Sequence, residues 1–81
     1  MNDKIRDILD QTAKLPVKAA TLSDDADLHE AGLTSFASVQ LMLALEDAFD
    51  IEFPEQMLNR RTFASIKAIQ SAIAELTQTA A

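Results

Sequence analysis

The apolar positions of this chain fall into three stretches with helical spacing, separated by polar segments. Ile5, Ile8, Leu9, Thr12 and Ala13 recur on one helical face, behind Asn2 and Asp3 as caps and ahead of Pro16, which stops a helix. A first helix over 3–15 is predicted. From Ser35 the run SFASVQLMLALEDAF contains no Gly or Pro, and Val39, Met42, Leu43, Glu46 and Phe49 lie along one side, widened by Leu41, Ala44 and Leu45. The second helix is therefore placed at 35–49 and, being apolar all round, is expected to be the most buried. Ile66, Ile69, Ile73 and Leu76 step by three, four and three. With Thr62 as a cap they predict a last helix over 63–77 and a fraying tail over 77–81.

The segments between these helices carry the turn chemistry. Residues 16–34 keep neither a period of two nor one of 3.6, so they are read as a long loop that Leu22, Leu28 and Leu33 pin to the core. Gly32, the only glycine, stands three residues before Ser35, where a chain turning into a helix needs a positive φ. Asp50 and Pro54 end the second helix; Ile51 and Phe53 alternate with Glu52 between them, and Pro54 opens a brief third helix over 54–60. The expected fold is all-α, a four-helix bundle in one domain over 1–81. Its core is assigned to Ile5, Ile8, Leu9, Leu28, Val39, Leu43, Leu45, Phe49, Ile66, Ile69 and Ile73.

Composition agrees with that class. Two prolines, four Phe and no Trp or Tyr, with 48% hydrophobic residues, argue against a turn-rich β fold. A chain of 81 residues buries about 60–65% of the surface its unfolded form exposes, enough for one modest core. No apolar run approaches the roughly 18 residues of a membrane span, and no basic leader precedes an apolar stretch, so a cytoplasmic protein is expected. The net charge of −6 is unevenly spread: residues 19–59 hold nine acids and no Lys or Arg. Such a field repels nucleic acid and anionic membrane and steers basic protein surfaces inward; it also serves plain solubility.

Candidate chemistry is sparse. Cysteine is absent, so the chain has no thiol of its own. His29 is the only histidine, which rules out a standard zinc site, and its polar loop setting predicts a solvent-exposed side chain. The elbow G-x-S-x-G and a Gly-rich phosphate loop are both missing, so neither a hydrolase triad nor a nucleotide cradle is expected, and no catalytic or metal-binding residue is assigned. There remains Ser35, a serine at a helix start. Its ordinary role is N-cap, contributing about 1 kcal/mol; yet a helix N-terminus equally suits a phosphate carried on that serine, because unpaired N–H groups and the helix dipole both favour the anion.

At this point the sequence resembles the acyl carrier protein family over nearly its whole length. Family members carry Asp-Ser-Leu at the start of the second helix, and Thr34-Ser35-Phe36 falls there, in the frame DLHEAGLTSFASVQLMLALEDAFDIEFPEQ. Val39, Leu41, Ala44, Leu45, Glu46, Phe49, Ile51, Glu52 and Pro54 follow the family's order. The resemblance implies that Ser35 accepts 4′-phosphopantetheine from coenzyme A through a separate phosphopantetheinyl transferase. The arm's thiol then carries an acyl group as a thioester for an acyl or aminoacyl ligase and downstream enzymes. It also implies a non-catalytic monomer whose second helix docks partners, here through Thr34, Phe36, Ala37, Gln40, Glu46 and Asp47.

The departures from the family pattern are specific. Thr34 replaces the acid before the serine, Phe36 replaces the leucine after it, and Ala37, Gln40 and Ala48 stand where fatty-acid carriers are often acidic. Weaker steering toward a housekeeping synthase and a more apolar contact through Phe36 are expected, hence a specialised carrier. Arg60 and Arg61 form a basic pair in an otherwise acidic region. The alternatives kept open are an aminoacyl carrier loaded by a stand-alone amino acid ligase and an unmodified helical adaptor.

Overall fold

The computed structural model describes residues 2–13 and 15–79. Four α-helices form: α1 (Asn2–Thr12), α2 (Leu28–Ala31), α3 (Ser35–Phe49) and α4 (Ile66–Thr79), with short 3-10 turns at Ala19–Thr21 and Glu55–Met57. No helix among the described residues is long and apolar enough to cross a membrane.

The first helix begins one residue earlier and ends earlier than its pattern predicted. Ile5, Ile8 and Leu9 face the core, and the residue before Pro16 is disfavoured in the helical region, so regular helix stops at Thr12; Lys14, inside the predicted span, lies outside the described residues. Asn2 is therefore not a cap. Its amide instead donates to Asp24 Oδ1 at 3.0 Å and Gln70 Oε1 at 3.2 Å, and its carbonyl oxygen accepts from Arg6 Nε at 2.6 Å. Arg6 then clamps the loop. Its guanidinium donates to the Ala19 carbonyl, to the Leu22 carbonyl at 2.7 Å and to the Asp24 carboxylate at 2.6 Å. These charge-assisted bonds anchor a segment with little apolar content.

Within that loop the sequence reading missed α2, a single helical turn. The Asp27 side chain caps it, accepting from His29 N–H at 2.9 Å and Glu30 N–H at 3.3 Å. The spacing Asp27-x-x-Glu30 is a capping-box signal that was present in the sequence. Gly32 does take the expected positive φ, 122°, but in closing α2. Leu28 and Leu33 are buried pins and Leu22 is half-buried. The loop also closes the start of α4: Leu28 N–H donates to the Ala64 carbonyl at 2.8 Å, and Lys67 N–H to the Asp24 carbonyl at 3.0 Å.

Helix α3 turns a different face inward from the one predicted. Ala37, Leu41 and Leu45, four residues apart, are buried, whereas Val39 and Leu43, assigned to the core from sequence, are 51% and 54% exposed. A helix that is apolar all round has no period from which to choose a side; packing against α1 and the shared core decides it. The helix ends at Asp50 in the left-handed region (φ 53°, ψ 51°), and Ile51 N–H returns to the Glu46 carbonyl at 3.1 Å. Lys4 secures this end from α1, donating to the Ala48 carbonyl at 3.2 Å with its ammonium 5.0 Å from the Phe49 ring centre.

The predicted helix over 54–60 reduces to the turn Glu55–Met57. Asn59 organises the chain after it: its Nδ2 donates to the Gln56 carbonyl at 2.9 Å, and its Oδ1 accepts from Thr62 N–H at 3.1 Å. Thr62 is thus committed before α4 begins. The cap is Ser65, whose Oγ accepts from Ala68 N–H at 3.0 Å, and α4 runs from Ile66 to Thr79 rather than over 63–77. Of the predicted fraying tail, Thr79 is helical and Ala80 and Ala81 lie outside the described residues. Among the described residues the largest fully buried side chains are Ile5, Leu9, Leu28, Leu41, Leu45, Ile66, Ile69 and Ile73. Each contributes about 1.5–3 kcal/mol, so the helices hold together by burial more than by intrinsic propensity.

Candidate functional site

Ser35 is the first residue of α3 and is exposed. The capping role open to it belongs instead to Thr34, whose backbone is extended (φ −87°, ψ 167°) and whose Oγ1 accepts from Ala37 N–H at 3.0 Å. The residue that departs from the family's acid therefore supplies the same acceptor without the charge. Among the described residues, Ser35 Oγ has no hydrogen-bond partner, and neither do the N–H groups of Ser35 and Phe36. An uncommitted hydroxyl thus stands beside unpaired donors at the positive end of a 15-residue helix dipole.

Ser35 borders a groove of about 550 Å³. Ser38, Val39 and Met42 form its wall on α3, Leu58, Asn59 and Arg60 face them from the chain leading into α4, and Leu33 and Phe63 line its floor. Phe63 is held by an edge-on contact with Phe53, ring centres 5.5 Å apart. Phe53 is held in turn by Glu46, whose Oε2 accepts its N–H at 2.9 Å. The apolar floor with a polar rim suits a slender chain of amide and methylene groups, and the free hydroxyl with nearby N–H donors suits a phosphodiester; these residues fit a phosphopantetheine arm.

The sequence-predicted site residues separate into two groups. Phe36 (73% exposed), Gln40 and Asp47 stand on the outward face of α3 with Val39 and Leu43, and Thr34 lies exposed beside Ser35. Ala37 points into the core, which removes it from any docking surface. Glu46 is half-buried, and its Oε2 accepts the Phe53 N–H. His29 is not free in solvent either: it is half-buried, and its Nε2 lies 3.2 Å from the Arg60 carbonyl. A carbonyl oxygen only accepts, so Nε2 carries the proton and the ring ties α2 to the far wall of the groove. That wall was not identified as such from the sequence, although the basic pair Arg60 and Arg61 marked its end.

Residues 3–69 match a protein family described as "Phosphopantetheine attachment site". An aminoacyl carrier protein of Agrobacterium fabrum (strain C58 / ATCC 33970) is 59% identical over 73 residues, covering 90% of this chain and 88% of that protein. Among solved structures, an engineered Bradyrhizobium japonicum glycine:[carrier protein] ligase complexed with carrier protein from Agrobacterium tumefaciens and AMP contains a chain 58% identical to this one. It superposes with a TM-score of 0.89, covering 91% of this chain and 99% of that one. A solution structure from Agrobacterium tumefaciens is 54% identical, with a TM-score of 0.76 over the full length of both chains.

Proposed function

The chain belongs to the phosphopantetheine-attachment family, and from that premise we propose that Ser35 is the attachment residue and that the arm carries an amino acid loaded by a stand-alone amino acid ligase. The protein itself is a carrier, not an enzyme. Its arm supplies a terminal thiol for thioester formation, chemistry that a cysteine-free chain lacks. The observation that carries the assignment of Ser35 is its uncommitted, exposed hydroxyl at the groove, freed because Thr34 takes over the cap.

The chain's own residues do the positioning. Thr34 fixes the first turn of α3, the unpaired N–H groups of Ser35 and Phe36 favour an anionic phosphodiester on the serine oxygen, and the groove beside them offers the arm an apolar resting surface. An amino acid as cargo is supported by the aminoacyl carrier relative and by the lack of charge in α3 from Ser35 to Leu45, where fatty-acid carriers are often acidic. The carrier works as a cytoplasmic monomer, modified by a phosphopantetheinyl transferase, because it has to fit several active sites in turn.

Intact-mass spectrometry tests both parts. With coenzyme A, magnesium and a promiscuous phosphopantetheinyl transferase, the native chain gains the mass of the arm and Ser35→Ala does not. Adding ATP, glycine or alanine, and an amino acid ligase then adds one aminoacyl group. Absence of the first gain leaves a helical adaptor and refutes the assignment of Ser35. A first gain followed by loading only with fatty acyl groups keeps the arm and removes the aminoacyl cargo.

A further inference from the structure

Beside the groove the surface reverses the character of the rest of the molecule. Phe36, Val39 and Leu43, at spacings of three and four on α3, are 73%, 51% and 54% exposed, and Leu58 across the groove is 49% exposed. Single exposed apolar residues are ordinary, but Phe36, Val39 and Leu43 share one face of α3, and Val39 and Leu58 line the groove that Ser35 borders. No charged residue interrupts α3 over 35–45. At the far end of the face Asp47 follows Leu43; on the groove side the bordering charge is positive, since Arg60 lines the groove and Arg61 follows it, the only Lys or Arg in 19–66. Both are exposed, and among the described residues neither makes an ion pair.

A surface complementary to this face has a defined chemistry. Its centre is apolar, because interface cores exclude charge and take large aromatic side chains as anchors. Its edge is acidic where it meets Arg60 and Arg61, because an unpaired guanidinium facing like charge is repelled, while opposite charge speeds encounter. We propose that the ligase that loads the arm presents an apolar socket for Phe36, edged by carboxylates opposite Arg60 and Arg61. The inference rests on the reading of the chain as an aminoacyl carrier, and it gives this docking face a polarity opposite to that of the surrounding acidic surface. Phe36 is the anchor and the arginine pair sets orientation and association rate.

The experiment measures binding of the unmodified chain to the Bradyrhizobium japonicum glycine:[carrier protein] ligase by fluorescence anisotropy, at low and at high salt. Asp7→Asn, at an exposed position on α1 outside the groove lining, is expected to bind within about twofold of native. Phe36→Ala should weaken binding about tenfold or more, chiefly through faster dissociation. The double variant Arg60→Glu/Arg61→Glu should weaken it about tenfold at low salt, with the deficit shrinking as salt screens the pair. All four substitutions are at exposed positions, and unchanged thermal melts verify that each of the three variants folds. Native-like binding by Phe36→Ala, tighter binding by the arginine reversal, or no binding by the native chain each overturns the proposal. So does sedimentation revealing that Phe36 instead mediates pairing between two copies of this chain. Because binding here needs no modification of Ser35, failure of arm attachment and failure of this docking face remain separate results.

Discussion

Replacing Gly32 by alanine sets a Cβ against two independent obstacles. The residue has φ 122° and ψ 6°, a conformation that side-chain-bearing residues rarely adopt, and the added carbon would lie 3.0 Å from Pro16 Cδ, 3.6 Å from Pro16 Cγ and 3.7 Å from Leu15 Cδ2. The backbone strain is about 1–3 kcal/mol. The crowding adds about 1 kcal/mol, since a proline ring cannot swing aside as a flexible chain would. Against these, alanine narrows the unfolded ensemble and returns about 0.4–1 kcal/mol. The balance is a loss of about 2 kcal/mol, which for a domain of this size lowers the melting temperature by about 8–16 °C. Thermal melts followed by far-UV circular dichroism measure it, and a double-mutant cycle with Pro16→Ala divides it. Relieving the ring contact should recover about 1 kcal/mol and leave the backbone part in place. A Gly32→Ala protein that melts with the native one refutes the strain argument. Complete recovery in the double variant would refute the backbone share.

Two further outcomes follow from the helix end and the loop clamp. Asp50 holds a left-handed conformation and a negative charge at the C-terminus of α3, both unfavourable there, so Asp50→Gly should raise stability by about 0.5–1 kcal/mol in urea unfolding; a decrease would contradict this account of the cap. The Asp24 carboxyl is held below its ordinary value of 3.8 by the hydrogen bond from Asn2, then by that from Arg6. A lowered carboxyl pKa gives stability that is complete above the unfolded value and is lost as pH falls through the folded one. The stability difference between the native chain and Arg6→Gln should therefore be constant above pH 3.8 and shrink below it, as measured by urea midpoints across that range; a difference independent of pH would exclude Asp24 as its source.

The parts of the fold that were legible in the sequence are those where one physical signal acts without a competitor. The spacing of Ile5, Ile8 and Leu9 and of Ile66, Ile69 and Ile73 gives two helices and their buried faces directly. In α3 the helix was legible and its orientation was not, because Val39 and Leu43 are as apolar as Leu41 and Leu45, and only the position of α1 and the shared core distinguishes them. Helix α2 was hidden by a polar composition that looks like loop, although Asp27 and Glu30 carried its cap. The expected helix over 54–60 failed because Asn59 draws the backbone into turns on both sides of itself. At the site, Ser35 could be recognised as a serine at a helix start. That Thr34 would take the cap and Glu46 would hold Phe53 depends on side-chain directions that spacing does not specify.

The backbone bonds from Leu28 to Ala64 and from Lys67 to Asp24 also order events during synthesis. They join the segment just ahead of Ser35 to residues made about 40 positions later, and Asn2 reaches further still, to Gln70. A nascent chain in which α4 has not yet left the ribosome tunnel has nothing against which to close the loop ahead of Ser35. The approach to that serine takes its finished shape only once α4 emerges, so a product truncated before α4 would expose Leu28 and Leu41 and be presented to proteases rather than to partner enzymes.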